Sequence, residues 1–238
     1  MLSTQISRRS FGRSVLFSPG LALGVRHAGA VPVTGDQVLR QLLTGNQRFV
    51  AGKPLHPRRR PEDFRPLAAG QKPIACLVAC ADSRVAPELL FDQGVGDLFV
   101  IRIAGNYVDG AGASVKGSIE YAVAELGVPL ILVLGHTECG AVKAAIQHLD
   151  HPEALPSYIN QLVNQIKPAV SAVQGQGGDV LGNAIASNVS RSAARLKTLE
   201  PILAPRVKAG TLQVTGAVYD LSTGGVSVLN DKALALAG

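Results

Sequence analysis

Three short apolar runs constrain this chain more than any other feature. Residues 74–80, 98–103 and 130–134 are nearly unbroken apolar stretches. They stop at Asp82-Ser83, Gly105-Asn106 and Gly135-His136. A strand covered on one face alternates apolar and polar residues, whereas a short continuous run has both faces buried. Helical spacing separates the runs at 87–91, 113–126 and 141–149. Alternation of strand and helix predicts parallel strands joined by helical crossovers.

The flanks complete the picture. Residues 36–51 carry Val38, Leu39, Leu42, Leu43, Phe49 and Val50 at mostly helical spacing, with Thr34 or Asp36 able to cap the start and Gly52 after the end. Residues 53–72 are rich in Pro and Arg and read as an irregular arm. A soluble stretch follows residue 149, then a long helix over about 184–203. A fourth strand at 212–219 and a short partner at 226–229 are joined by Ser222-Thr223-Gly224-Gly225, so that last pair is antiparallel. The expected fold is α/β: a mostly parallel central sheet of four strands plus a C-terminal antiparallel strand, flanked by helices. With 238 residues, 47% hydrophobic and 17% charged, disorder is excluded and no second domain is called for.

The net charge of +6 is unevenly placed: residues 1–30 hold Arg8, Arg9, Arg13 and Arg26 and no acid. The remainder is near balance, which argues against a nucleic-acid partner. Ser7-Arg8-Arg9-Ser10-Phe11 followed by a short apolar stretch resembles a twin-arginine export signal. Ala28-Gly29-Ala30 suits a signal peptidase, so cleavage is expected after Ala30. That leaves 31–238 as the mature domain, in the periplasm. The stretch is too short to span a bilayer, and no later run is longer, so no stable membrane anchor is expected.

Chemistry is expected at the strand ends, because open parallel sheets bind ligands beyond their carboxyl edges. The first run ends Cys80-Ala81-Asp82-Ser83-Arg84 and the third ends His136-Thr137-Glu138-Cys139-Gly140. Two thiolates and an imidazole suit zinc, and three protein ligands leave a fourth position open for chemistry. The third cysteine, Cys76, reads as a buried thiol, since three cysteines make no disulfide framework. Glu138, between the ligand candidates, reads equally as a supporting or a solvated residue.

Cys80-Ala-Asp82-Ser-Arg84-Val85 together with Gly135-His136-Thr-Glu-Cys139-Gly140 resembles the β-class carbonic anhydrases. The likeness extends to Gly70-Gln71, Phe99, Ala104-Gly105-Asn106, Glu120-Tyr121-Ala122, and the tail Gly216-Ala-Val-Tyr219-Asp220 with Thr223-Gly224. It covers roughly 36–230. It implies zinc, one per chain, on Cys80, His136 and Cys139, and an Asp82–Arg84 dyad. It implies that Gln71 hydrogen-bonds substrate from a neighbouring subunit, that Phe99 and Tyr121 line a narrow pocket, and that the chain forms a homodimer or a dimer of dimers. The implied reaction is reversible hydration of carbon dioxide to bicarbonate by a zinc-activated hydroxide.

Some members also let the carboxylate equivalent to Asp82 ligate zinc at low pH, alongside a bicarbonate site that includes a Trp. Here Leu77 stands at that place and the chain has no Trp, which implies an open resting state. Competing readings are a relative that hydrolyses COS or CS2 and a non-catalytic zinc- or bicarbonate-binding protein. A cysteine phosphatase loop needs five residues between Cys and Arg; Cys80 and Arg84 have three between them.

Overall fold

The computed structural model describes residues 33–151 and 155–229. The predicted leader, its cleavage site and the start of the mature chain lie outside the described residues. From Val33 the described residues form one compact unit.

Five strands make one sheet: β1 (Ala75–Cys80), β2 (Leu98–Ile103), β3 (Leu130–His136), β4 (Gln213–Tyr219) and β5 (Val226–Val228), in the order β2-β1-β3-β4-β5. The first four are parallel and β5 is antiparallel to β4. This is the expected architecture. β1 and β3 are buried along their whole length, which is why they read as unbroken apolar runs.

Their side chains divide between two cores. Ala75, Leu77 and Ala79 join Leu130, Leu132 and Leu134 against Val38 and Leu42 of α1 (Gly35–Val50) and against Leu90 and Phe91. Cys76 and Val78 join Ile131 and Val133 on the other face. There they meet Ile119 and Ala122 of α4 (Gly112–Ala124) and Val189 and Ala193 of α7 (Val180–Lys197).

Helix α1 begins where the sequence places it. Thr34 and Gln37 form a reciprocal capping box, which stabilises a helix start by about 1 kcal/mol. The 53–72 arm departs from expectation: α2 (Pro61–Phe64) and a 3-10 turn (Arg65–Ala69) interrupt it. Short α3 (Pro87–Leu90) follows β1, and α5 (Gly140–Gln147) follows β3.

The region after residue 149 needs a correction. It contains a full helix, α6 (Ser157–Ser171), where the sequence reading has a soluble stretch. Its exposed face, with Tyr158 and Ile159, hides the buried stripe of Val163, Ile166 and Val170. The expected helix over 184–203 is α7, which starts earlier and ends at Lys197, followed by short α8 (Leu203–Lys208). Among the described residues no helix is long and apolar enough to cross a membrane.

The strand order positions the site. From β1 the chain crosses to β2 on one side, then to β3 on the other, so crossovers leave in opposite directions. The carboxyl ends of β1 and β3 therefore flank the switch point where open α/β sheets bind ligands.

Candidate metal centre

Ala79 pairs with Leu134 in the parallel register of β1 and β3, so Cys80 and His136 end adjoining strands. Cys139 then opens α5 as its N-cap residue. The ligand atoms of Cys80, His136 and Cys139 all lie within 4.8 Å of one another, and all three residues are buried.

The imidazole is oriented for ligation. His136 Nδ1 lies 2.8 Å from the Thr137 carbonyl. A carbonyl only accepts, so Nδ1 carries the proton and Nε2 keeps its lone pair. Nε2 is buried without a hydrogen-bond partner, an arrangement that is costly unless something takes the lone pair. Thr137 itself is tied to β4: its N–H donates to Tyr219 O at 2.9 Å, and its hydroxyl accepts from Leu221 N at 3.0 Å.

The thiols favour a cation as well. Cys80 is held well below the ordinary thiol range, first by the hydrogen bond from Cys139 and, against its burial, by the N–H groups of Gly105 and Asp82. Cys139 is pushed up by the Cys80 thiolate beside it and by burial, against the first-turn amides of Val142 and Ala141. Two sulfurs that share one proton, next to an unmet imidazole nitrogen, fit a soft divalent ion that replaces that proton.

Asp82 stands beside the cluster. Its Oδ2 is 3.8 Å from His136 Nε2. Both carboxylate oxygens are engaged by Arg84, with Nε on Oδ1 at 2.9 Å and Nη2 on Oδ2 at 2.7 Å, and Arg84 N also donates to Oδ1. These hydrogen bonds, led by those of the guanidinium, hold the carboxyl far below the usual carboxylate range despite partial burial. Asp82 is thus near the cluster but committed to Arg84.

Arg102 was not anticipated as a site residue. Its Nε donates to Cys80 O at 3.0 Å and its Nη2 to Asp82 O at 2.6 Å, clamping the segment that carries both side chains. The signal was present: a single cation interrupts the apolar run Leu98 to Ile103. Gly105, within the Ala104-Gly105-Asn106 motif, donates its N–H to Cys80 Sγ at 3.2 Å. Glu138 has a positive φ and pairs with Lys143 at the surface.

Three expected residues lie elsewhere in the same chain. Gln71 is exposed and precedes β1, so the strand's length, about 17 Å, separates it from Cys80. Phe99 pairs with Cys76 in the register, four positions before Ile103 aligns with Cys80. Tyr121, half exposed, keeps its ring 6.1 Å from that of Phe99. One chain does not bring these three to its own cluster. A cavity of about 720 Å³ near Thr34, Gln213 and Leu229 is at the far end of the sheet and plays no part in the site.

Residues 75–226 match the family model described as carbonic anhydrase. A carbonic anhydrase of Mycolicibacterium smegmatis is 42% identical over 189 residues, spanning 79% of this chain and 90% of the relative. Carbonic anhydrase 2 of Mycobacterium tuberculosis is 42% identical over 193 residues, spanning 81% and 90%. The solved β-carbonic anhydrase CcaA superposes with a TM-score of 0.64 at 28% identity, covering 82% of this chain and 96% of that one. Sequence match, fold and a cluster suited to zinc agree, and the chain belongs to the β-class carbonic anhydrases, the zinc enzymes of carbon dioxide hydration.

Proposed function

We propose that Cys80, His136 and Cys139 hold the zinc for this reaction, in which carbon dioxide and water give bicarbonate and a proton, and that Asp82 and Arg84 direct it. Zinc supplies a Lewis acid that acidifies water at neutral pH. Asp82 accepts a hydrogen bond from the attacking oxygen and turns its lone pair toward the carbon of carbon dioxide. A carboxylate held so far below neutrality is a poor base. Its contribution is orientation, and the released proton goes to solvent or buffer. Arg84 keeps Asp82 ionised and aimed.

The observation that carries this reading is the convergence of two sulfurs and the unpartnered His136 Nε2 beside an Arg-held Asp82. The test is stopped-flow carbon dioxide hydration by residues 31–238 with zinc counted per chain. Fast hydration at one zinc per chain, lost together with the metal in Cys139→Ser, is the expected result. Bound zinc without hydration overturns it and directs assays to COS and CS2.

The assembly we propose is a homodimer, alone or paired again, joined at β2. That strand is the sheet edge, and it is apolar and only half-buried, a surface that soluble proteins cover. Two β2 strands related by a two-fold axis run antiparallel. The amino-terminal end of one subunit's β1 and β2, with Gln71 before β1 and Phe99 on β2, then lies toward the carboxyl ends of the other's, with Cys80. This supports Gln71, Phe99 and Tyr121 as contributions across the interface.

Export through the twin-arginine route to the periplasm is also part of the proposal, supported by the Arg8-Arg9 pair and the Ala28–Ala30 site. Cell fractionation tests it. Activity should leave the periplasmic fraction when Arg8 and Arg9 are both changed to Lys.

A further inference from the structure

Cys80 depends on an amide that cannot hold its own conformation. Gly105 donates its N–H to the Cys80 sulfur from a backbone with φ of +80°. A Cβ at Gly105 would lie 2.5 Å from Ile166 Cδ1 and 3.2 Å from Ala141 Cβ, so only glycine fits between α5 and α6. Glycine populates both signs of φ readily. Nothing in the residue itself fixes the direction of its N–H.

The carbonyl side of Gly105 is held from two directions, by the next amide, where Asn106 N–H donates to Ile103 O at 3.0 Å, and from α7. The Asn188 side chain donates Nδ2–H to the Gly105 carbonyl at 2.7 Å, across 83 positions of sequence. Asn188 is 3% exposed, and a buried amide is expensive unless its hydrogen bonds are met. Its neighbour Val189 leaves α7 no room to slide. The Cβ positions of Gly135 on β3 and Gly216 on β4 would each be 2.5 Å from a Val189 methyl. The helix is seated on bare backbone, and Asn188 extends from that fixed origin.

We propose that Asn188 is a positioning residue for the metal centre, holding the Gly105 N–H on Cys80 and thereby setting how strongly that thiolate donates to the metal. The proposal rests on the reading of Cys80, His136 and Cys139 as the ligands. A hydrogen bond to a ligating sulfur draws charge away from it. A centre with two anionic sulfurs needs that withdrawal to keep its metal a strong Lewis acid. Without Asn188 the Gly105 carbonyl loses its hydrogen bond from α7, that peptide is held by Asn106 N–H on Ile103 O alone, and Cys80 donates with less restraint from a less ordered segment.

The test uses the full chain loaded with zinc or with cobalt(II), comparing wild type with Asn188→Leu and with Asn188→Asp, which preserves the shape if the Leu variant does not fold. The readouts are the sulfur-to-cobalt charge-transfer band and zinc affinity by chelator competition. Both variants should move the band to lower energy and weaken zinc binding by about 10- to 100-fold. Leu196→Ala, in the α7 core away from Gly105, should lower the Tm while leaving the band in place. If the Asn188 variants behave like Leu196→Ala, with band and affinity unchanged, the assignment is overturned. If wild type itself binds neither metal, the ligand reading fails first.

Discussion

Arg84 engages both carboxylate oxygens of Asp82, at 2.9 and 2.7 Å, and stops Oδ2 of Asp82 at 3.8 Å from the free nitrogen of His136. The pair separates two things a carboxylate can do beside a zinc site, ligate or orient. Arg84→Met should therefore leave zinc content unchanged and lower kcat/KM by about 10- to 100-fold. Stopped-flow hydration with metal analysis checks both halves. Undiminished activity would remove Asp82 orientation from the mechanism.

If Gln71 acts across the interface, two inactive chains should repair each other. Gln71→Ala spoils the neighbour's site and Cys139→Ser spoils its own. In a mixed dimer the chain with intact Cys139 meets an intact Gln71. Co-expression should restore activity that neither variant shows alone. No recovery in isolated mixed dimers would place Gln71 outside the partner's site.

Asp92 gives the fold an acid-sensitive anchor. Its buried carboxylate accepts from Arg48 Nε at 2.7 Å, Leu55 N at 2.8 Å and His56 N at 3.0 Å. Burial alone would raise its pKa, but these donors, Leu55 N foremost, outweigh it and lower the value. A folded-state pKa below the unfolded value stabilises the protein above the unfolded pKa, near 3.8, and the gain is lost as pH falls through the folded pKa. Asp92→Asn should cost about 2 kcal/mol at pH 7, and the gap to wild type should narrow below about pH 4. Urea unfolding across that range measures it.

The cysteines should differ in reactivity once metal is removed. Burial pushes the Cys76 thiol up to about 12, so it is protonated and shielded at pH 8. With zinc bound, no thiol should react with a disulfide reagent. After chelation Cys80 and Cys139 should react, and Cys76 only in denaturant. Early labelling of Cys76 would mean that its strand opens locally.

Helix α7 offers a stability test independent of the metal. Gly135→Ala places a methyl 2.5 Å from Val189 Cγ2 and should destabilise by about 1–3 kcal/mol. Val189→Ala in the same chain should recover part of that loss. Two additive losses would mean that the helix shifts instead of clashing.

Much of this molecule was legible in advance. The unbroken runs of β1 and β3 announced strands covered on both faces, and the helical spacing of 36–51, with Thr34 or Asp36 able to cap it, announced α1. Cys80, His136 and Cys139 stood out because scarce ligand types fall at the ends of two such runs. Helix α6 did not stand out: Tyr158 and Ile159 on its exposed face and Pro168 within it blur its periodicity. Arg102 could have been flagged as the one charge in an apolar strand. Asn188 carried no signal, because a helical asparagine's role depends on what packs against it.

The alternation of strand and helix, and the side chains able to take a metal, are written along the chain. These are local properties, set by the periodicity of burial and the chemistry of each residue type. Only folding sets β1 and β3 side by side at the switch point and brings Cys80 to His136. It also leaves Gln71, Phe99 and Tyr121 away from their own cluster, and Gly105 steadied by Asn188. Those relations depend on strand order and helix seating, which arise from packing between segments far apart in the chain.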